Sequence, residues 1–184
     1  MTRLEPIPPD ELDADQRELY DAIASGPRAQ GPQHFALTGE DGGLRGPFNA
    51  FLLSPALGSA LQELGAAVRY RTEMSPRTRE IAILTVAAHW DSAFEWSTHE
   101  SIGRAAGLTD GELTALRAGV VPELEDQAER ACAELAHAMV RGDVEESVWD
   151  AWAPLAGKAR VFELTTLVGY YATLALQLRV FRVG

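Results

Sequence analysis

The segment that most constrains the fold of this 184-residue chain is a helix-forming stretch that is apolar on every side. Ser75 followed by Pro76 is a strong helix start, with the serine as N-cap and the proline at the first helical position. The residues that follow, 81–84 and 86–88, are apolar around the whole circumference of a helix. Such a helix is stable only when other elements surround it. The sequence therefore predicts a domain built around one central helix.

The rest of the chain has the same helical character, because Ala, Leu, Glu and Arg dominate and β-branched alternation is scarce. Caps, prolines and glycines predict further helices over residues 10–25, 55–71, 92–107, 110–117, 122–141, 145–152 and 160–178. Residues 26–50 are rich in Gly, Pro and Gln, which favours a long irregular loop. We predict an all-α fold of about eight helices, with residues 1–50 as an N-terminal arm and 51–184 as a single domain.

Composition argues against several classes of protein. The net charge of −11 repels phosphate backbones, so we expect no nucleic-acid partner. Cys132 is the single cysteine, which rules out an intrachain disulfide, a multi-cysteine zinc site and a two-thiol redox cycle. Residues 1–25 lack the apolar core of a signal peptide, and the most apolar run, 164–178, is shorter than the roughly 20 residues that span a bilayer. We expect a cytoplasmic protein with no membrane partner.

Two titratable side chains interrupt the apolar stripe of the helix predicted over residues 92–107. Glu95 and His99 are four residues apart, so they lie one turn apart on the same helical face. Glu100 and Arg104 lie on the opposite face, where their spacing favours an ion pair in solvent. Because burial of an unpartnered carboxylate is costly, a buried Glu95 must be paired with His99 or used chemically.

A purely structural interpretation of this pair is also open. Ser92 and Glu95 have the spacing of a capping box, in which the serine caps the helix and the glutamate reaches back to the Ser92 amide. His99 would then be a core histidine that the same carboxylate satisfies. A Glu-x-x-x-His pair provides too few ligands for a metal site unless Glu80, His89 or another helix contributes, so we expect no metal.

Three segments together resemble the carboxymuconolactone decarboxylase superfamily, which includes the alkylhydroperoxidase D proteins. They are Arg79–Leu84, Phe94–His99 and Gly107–Thr109, and the resemblance covers about residues 50–120. It implies an alkylhydroperoxidase D-like helical fold that assembles as a homo-oligomer, a trimer or a hexamer.

The redox branch of this superfamily uses a Cys-x-x-Cys motif, a histidine four residues after the second cysteine, and a glutamate on the preceding helix. By spacing, the glutamate corresponds to Glu80 and the histidine to His99, whereas the two cysteine positions hold Ser92 and Glu95. Cys132 lies far along the chain in an Ala-rich segment and is predicted to be a core residue. The resemblance therefore implies the acid–base frame of the family without its sulfur atoms.

Two carboxylates beside one histidine in a mostly apolar pocket suit general acid–base catalysis. We predict Glu80, Glu95 and His99 as catalytic residues: His99 moves the proton, Glu95 orients the imidazole, and Glu80 lies behind them as a partner or relay. Ser92, Trp96 and Arg77 are predicted to contact substrate. The substrate carboxylate would be held by Arg77, by Arg79 or by an arginine of a neighbouring subunit. The resemblance implies cofactor-free decarboxylation or isomerisation of a small lactone or oxo acid. The alternatives are a peroxidase-like relative without redox cysteines and a non-catalytic oligomer that binds a small ligand.

Overall fold

The computed structural model describes residues 2–26 and 36–183. Within these ranges the chain forms nine α-helices and a 3₁₀ turn, and the only strand-like pairing is an isolated bridge between Thr38 and Leu44. The helices are α1 (Ala14–Ala24), α2 (Pro47–Phe51), α3 (Pro55–Tyr70), α4 (Pro76–His89), α5 (Ala93–Ala105), α6 (Asp110–Arg117), α7 (Gln127–Met139), α8 (Glu146–Ala156) and α9 (Lys158–Phe181). The predicted all-α fold is confirmed.

The predicted central helix is α4. Ser75 caps it by accepting a hydrogen bond from the Thr78 amide, and Pro76 occupies the first turn. Nine of its fourteen residues are buried, because α5, α6 and α7 all pack against it. Around it lies an apolar cluster that includes Ile81, Leu84 and Trp96. This helix therefore positions the side chains that it contributes to the site described below.

Two element boundaries differ from the sequence prediction. Residues 47–51 form the short helix α2, which was predicted as loop because five residues are too few to show a helical period. Helix α7 begins at Gln127 and not near Pro122, because Asp126 caps it by accepting from the Ala128 and Glu129 amides. The other predicted helices are present, with ends that differ by a few residues.

The chain divides into two compact units, residues 1–70 with 176–184, and residues 71–175. In the first unit, buried Asn49 ties α2 to the N-terminal segment by accepting from the Ile7 amide and donating to the Glu5 carbonyl. Helices α1 and α2 both pack on α3 in that unit. The second unit holds α4 to α8 and contains Glu80, Glu95 and His99.

Helix α9 is longer than the apolar run that the sequence suggested. It has 24 residues and a mean hydropathy of 1.2 over its most apolar window, which is enough by length and composition to cross a membrane. Half of that window is buried inside the protein, as it would be in a core helix of a soluble protein. This helix alone is therefore weak evidence for a membrane span.

Candidate functional site: a buried Glu–His–Glu cluster

A tight turn between α4 and α5 brings the candidate side chains together. Asp91 has a positive φ of 47°, a left-handed conformation that aspartate tolerates better than most residues. The Ser92 amide donates back to the Ala87 carbonyl at 2.9 Å, which closes the turn. Because the chain reverses direction here, α5 packs alongside α4. Residues 19 positions apart in sequence can then meet across the helix pair.

A glycine on α5 allows the two helices to approach closely. A Cβ atom at Gly103 would lie 2.8 Å from Leu108 Cδ1 and 3.3 Å from Leu84 Cδ1, so a larger side chain would require these leucine side chains to shift. His99 lies one turn before Gly103 on the same helix. The close approach at Gly103 therefore helps to place the imidazole within reach of α4.

Glu80, Glu95 and His99 form one buried cluster. His99 Nδ1 lies 2.6 Å from Glu80 Oε2, which is a short hydrogen bond, and His99 Nε2 lies 3.6 Å from Glu95 Oε2. The exposed fractions are 0% for Glu80, 4% for Glu95 and 3% for His99. The three residues singled out in the sequence therefore meet, and each imidazole nitrogen faces a different carboxylate. We refer to these residues as the Glu–His–Glu cluster.

The order of the two carboxylates is the reverse of our expectation. We predicted that Glu95 orients His99 and that Glu80 lies behind it as a relay. In the structure Glu80 makes the hydrogen bond to the imidazole, whereas the Glu95 carboxylate stands beyond hydrogen-bond distance from the other nitrogen. Glu80 is therefore the residue placed to orient the ring.

Tyr171 is a neighbour of His99 that sequence reasoning did not select for the site. Its ring meets the imidazole edge to face, with centroids 5.2 Å apart and an interplanar angle of 88°. Tyr170 packs against Tyr171 in the same way, at 5.3 Å. Both tyrosines are buried on α9, more than 70 residues after His99, so no local motif could have linked them to it. Tyr171 therefore packs on the imidazole from α9, and Tyr170 supports Tyr171.

The capping-box alternative for Ser92 and Glu95 is wrong. Ser92 is the N-cap of α5, but its side chain makes no capping hydrogen bond, and its amide donates to the Ala87 carbonyl. The reciprocal pair of hydrogen bonds that defines a capping box is therefore not formed. Ser92 is buried at the start of the helix that carries Glu95 and His99, and its role in substrate contact stays a prediction.

Trp96, which we predicted to contact substrate, is engaged with other side chains of the protein. Its indole N–H donates to Glu100 Oε2 at 3.0 Å, and the Arg117 guanidinium lies 4.7 Å above its ring. The rest of the side chain belongs to the apolar cluster around α4. This environment supports a packing role, and substrate contact by Trp96 has no support in this geometry.

Arg77 joins three parts of the second unit. Its guanidinium pairs with Glu112 on α6 and with Glu129 on α7, the latter at 2.9 Å, and it also donates to the Gly107 carbonyl. These contacts occupy the guanidinium, so the structure does not support our expectation that Arg77 holds a substrate carboxylate. Arg77 instead cross-links helices around the central one.

The Arg77–Glu112 pair predicts an acid-dependent loss of stability. Burial would raise the pKa of the Glu112 carboxyl, but hydrogen bonds from Arg77 and Thr109 outweigh burial and hold that pKa below its usual value. Because the pKa is lower in the folded state, this carboxylate stabilises the fold above its unfolded pKa, and the contribution disappears as pH falls through the folded pKa. We expect Arg77→Gln to lower the free energy of unfolding by about 1–2 kcal/mol at neutral pH, since both side chains are partly solvated.

Urea unfolding from about pH 7 down to about pH 3 checks this prediction. The difference between wild type and Arg77→Gln should shrink below about pH 4.5, where Glu112 protonates in the unfolded chain. Arg104→Gln is the matched control. Arg104 pairs with Glu100 on α5 and with Asp110 at the start of α6, and these pairs are exposed, so the loss of Arg104 should lower the free energy of unfolding less. A difference that stays constant with pH would contradict the assignment.

Arg79 is a cation beside the cluster. Its Nε lies 3.9 Å from Glu80 Oε1, and the side chain is largely buried. The sequence prediction named Arg79, beside Arg77, as one of the arginines to hold a substrate carboxylate. Nothing in the structure tests that role, which stays a prediction.

Cys132 is a core residue, as predicted. It is 1% exposed on α7, and burial raises the pKa of its thiol to about 11. Because the thiolate is the reactive form, this cysteine is poorly suited to attack a peroxide or a disulfide near neutral pH. The structure therefore offers no reactive thiol for the peroxidase alternative.

This predicts a specific labelling pattern. In native buffer near neutral pH, Cys132 should react with an aromatic disulfide reagent at least about 100-fold more slowly than free cysteine, because its thiolate fraction and exposure are both small. In denaturant it should react at the rate of free cysteine. Fast labelling of the native protein would contradict the burial of Cys132 and reopen the thiol mechanism.

In the described parts of the chain, no three His, Cys, Asp or Glu side chains form an arrangement that would hold a metal ion. The expected absence of a metal or cofactor stays a prediction.

Comparisons with known proteins agree with the family resemblance. Residues 55–138 match the model of the carboxymuconolactone decarboxylase family, and this segment includes all three residues of the Glu–His–Glu cluster. A search of curated proteins finds no match. Among solved structures, the chain is similar to a Cys-to-Ala variant of the debrominase Bmp8 in complex with 2,3,4-tribromopyrrole, with a TM-score of 0.73 and 12% sequence identity. That match covers 100% of this chain and 91% of the debrominase chain, and at this identity it establishes a shared fold.

Proposed function

We propose that this chain catalyses proton transfer without a cofactor during decarboxylation or isomerisation of a small lactone or oxo acid. The starting point is the match of residues 55–138 to the model of the carboxymuconolactone decarboxylase family. The observation that carries the proposal is the 2.6 Å hydrogen bond between Glu80 and His99 in a buried setting, with the second imidazole nitrogen facing Glu95.

The hydrogen bond to Glu80 selects the tautomer of His99. An ionised carboxylate only accepts hydrogen bonds, so the Nδ1 atom carries a proton and donates it to Glu80 Oε2. The lone pair of a neutral imidazole is then on Nε2. His99 Nε2 is therefore the nitrogen that takes up and releases protons in the proposed reaction.

Glu80 supports this role electrostatically. When Nε2 takes up a proton the ring becomes a cation, and the buried carboxylate at 2.6 Å stabilises that cation without being protonated itself. Burial strengthens the interaction, because little water screens it. Glu80 is a positioning residue, since it acts on the reacting atoms through His99.

Glu95 is suited to a second proton-transfer role. Its carboxylate lies 3.6 Å from Nε2, which leaves the two groups close without a direct hydrogen bond. A proton can pass between them when a substrate or water atom enters this space. Glu95 can thus reload the imidazole or receive a proton from it.

In decarboxylation the bond between the substrate carbon and its carboxylate breaks, and carbon dioxide leaves. The electron pair stays on the substrate as an enolate of the neighbouring carbonyl. Imidazolium Nε2–H of His99 then donates its proton to that carbon. In isomerisation a neutral His99 removes a proton from one carbon and returns it to another, so atoms and charge balance within the substrate.

The substrate carboxylate needs a cation near the cluster. Arg79 is placed to meet this requirement, because its Nε lies 3.9 Å from Glu80 Oε1 at the edge of the cluster. We expect Arg79→Gln to raise KM for a carboxylate substrate by about tenfold or more with a smaller change in kcat, because a charged hydrogen bond is lost in the ground state. Steady-state kinetics with Arg104→Gln as the exposed control tests this, and an unchanged KM would contradict it.

The competing interpretation treats the cluster as a structural element of a non-catalytic, ligand-binding oligomer. Its support is the almost complete burial of all three side chains. It predicts that variants of the cluster change stability only, whereas the proposed enzyme loses turnover even when a conservative variant folds normally.

Incubation of the purified protein with carboxymuconolactone, and with a panel of γ-lactone carboxylates and β-oxo acids, tests the proposal. We expect carbon dioxide release or isomer formation, followed by NMR, from at least one compound in the absence of added metal or cofactor. Peroxide consumption in the presence of a dithiol should not exceed the blank. Failure of the whole panel, or peroxide consumption that Cys132→Ser abolishes, would overturn it.

A further inference from the structure

A cavity that none of the Glu–His–Glu cluster residues lines lies in the unit formed by residues 71–175. Its volume is about 170 Å³. Four cationic or titratable side chains line it: His89 at the end of α4, Arg117 at the end of α6, His137 on α7 and Arg141 just after α7. None of the three cluster residues contributes to its wall. The proposed acid–base reaction therefore does not use this cavity.

The positive charge at this cavity is unusual in a chain whose net charge is −11. Within residues 2–26 and 36–183, neither Arg117 nor Arg141 is in a salt bridge with a carboxylate. Burial, together with the charges of Arg141 and His89, lowers the pKa of His137, although Glu134 opposes this effect. Burial is the largest of these effects, and Arg141 and His89 add to it by opposing a positive charge on His137. An anion bound beside them would relieve that repulsion.

Stabilisation of helix dipoles is a second explanation for the presence of these cations. His89, Arg117 and Arg141 lie at or just beyond the carboxyl ends of α4, α6 and α7, where positive side chains stabilise a helix dipole. Each helix end carries only about half an elementary charge, and that charge is screened in exposed positions. Arg117 and Arg141 still have no carboxylate partner among the described residues, so an incoming anion can bind them more strongly than the helix ends do.

The remaining wall is apolar and restricts the ligand's shape. Val120, Val121 and Val140 line the cavity with Leu116 and Pro122. A closed apolar cavity of roughly 150 Å³ holds one benzene molecule, so 170 Å³ suits a body of about one ring. A ligand that satisfies both parts of the wall has one anionic group and one compact apolar body.

We propose that this cavity binds a small organic carboxylate, with the carboxylate held by Arg117 and Arg141 and the apolar body against the valines. Guanidinium groups pair well with carboxylates, and they do so most strongly where two can contact one anion. The site is separate from the proposed acid–base site, so neither proposal depends on the other.

The probes are benzoate, hexanoate and the neutral isostere benzamide, titrated into the full chain and followed by amide NMR shifts and calorimetry. We expect at least one carboxylate to bind saturably and to shift amides of residues 117–121 and 137–141. Benzamide should bind at least about tenfold more weakly, because it lacks the charge that the arginines recognise. Arg141→Gln and Arg117→Gln should each weaken carboxylate binding by a similar factor.

Arg104→Gln is the matched control, because it removes an exposed arginine outside the cavity and should leave the affinity unchanged. Arg117 also packs over Trp96, so Arg141→Gln decides the test if the Arg117 variant is poorly folded. Equal affinity for benzoate and benzamide, full affinity in Arg141→Gln, or no saturable binding of either carboxylate would overturn the proposal.

Discussion

Replacement of His99 by alanine is expected to reduce kcat by about 10²–10⁴-fold on whichever lactone or oxo acid the wild-type protein turns over. Nε2 of His99 is the atom that carries the proton to or from carbon, and alanine leaves no group that can do so. The far-ultraviolet circular dichroism should remain helical, because α5 keeps its contacts with α4 through residues other than His99. Glu95→Gln should also reduce turnover, since an amide cannot exchange a proton with the imidazole.

Ser97→Ala is the matched control for these variants. Ser97 lies on α5 between Glu95 and His99 but faces solvent, and its hydroxyl only donates to the Phe94 carbonyl. It should retain wild-type turnover. A His99→Ala protein with turnover close to that of Ser97→Ala would show that His99 is not the proton-transferring group. Loss of helical structure in both cluster variants would instead favour the structural interpretation.

Replacement of Glu80 by alanine is expected to lower the free energy of unfolding by about 3–5 kcal/mol. Glu80 is fully buried, and its removal leaves a cavity and deprives His99 of its 2.6 Å hydrogen bond. Glu80→Gln keeps nearly the same volume and one hydrogen bond, so it should lose only about 1–2 kcal/mol. Urea unfolding followed by circular dichroism measures both values.

The two Glu80 variants separate stability from catalysis. Glu80→Gln folds but cannot stabilise the imidazolium electrostatically, so we expect its kcat to fall by at least about 10²-fold. Glu100→Ala is the control carboxylate, since it is partly exposed on α5 and should cost no more than about 1 kcal/mol. If Glu80→Ala is as stable as Glu100→Ala, the buried Glu80–His99 hydrogen bond does not stabilise the fold as described. Wild-type turnover in Glu80→Gln would remove Glu80 from the mechanism.

The local elements of the fold were accessible from the sequence because short-range chemistry determines them. Ser75 and Thr109 cap α4 and α6 through side chains that accept from amides three residues later, which is a pattern that can be read directly. The start of α7 at Asp126 had the same kind of signal, but Pro122 is an equally good start and was chosen wrongly. Helix α2 has no comparable signal beyond Gly46 and Pro47.

The sequence predicted which site residues share one face of α5, but not how they contact the residues of α4. Helical pitch shows that Glu95 and His99 share a side of α5, and the family resemblance adds Glu80 from α4. Which carboxylate reaches the imidazole depends on how closely α4 and α5 approach, and packing of Leu84 against Gly103 is one contact between these two helices. The ion pairs of Arg77 could not be predicted for a similar reason, since its partners Glu112 and Glu129 lie 35 and 52 residues away.

The measurement that tests the central claim most directly is deuterium incorporation into product, followed by NMR, when the reaction runs in D₂O. In a decarboxylation, the wild-type protein is expected to place solvent deuterium at the carbon that loses carbon dioxide, because His99 Nε2 exchanges with solvent between turnovers. In an isomerisation, deuterium enters the product to the extent that the imidazolium exchanges before it returns the proton. The Ser97→Ala control should do the same, and His99→Ala should lose that incorporation in parallel with turnover. Undiminished incorporation by His99→Ala would contradict the assignment of proton transfer to the Glu–His–Glu cluster.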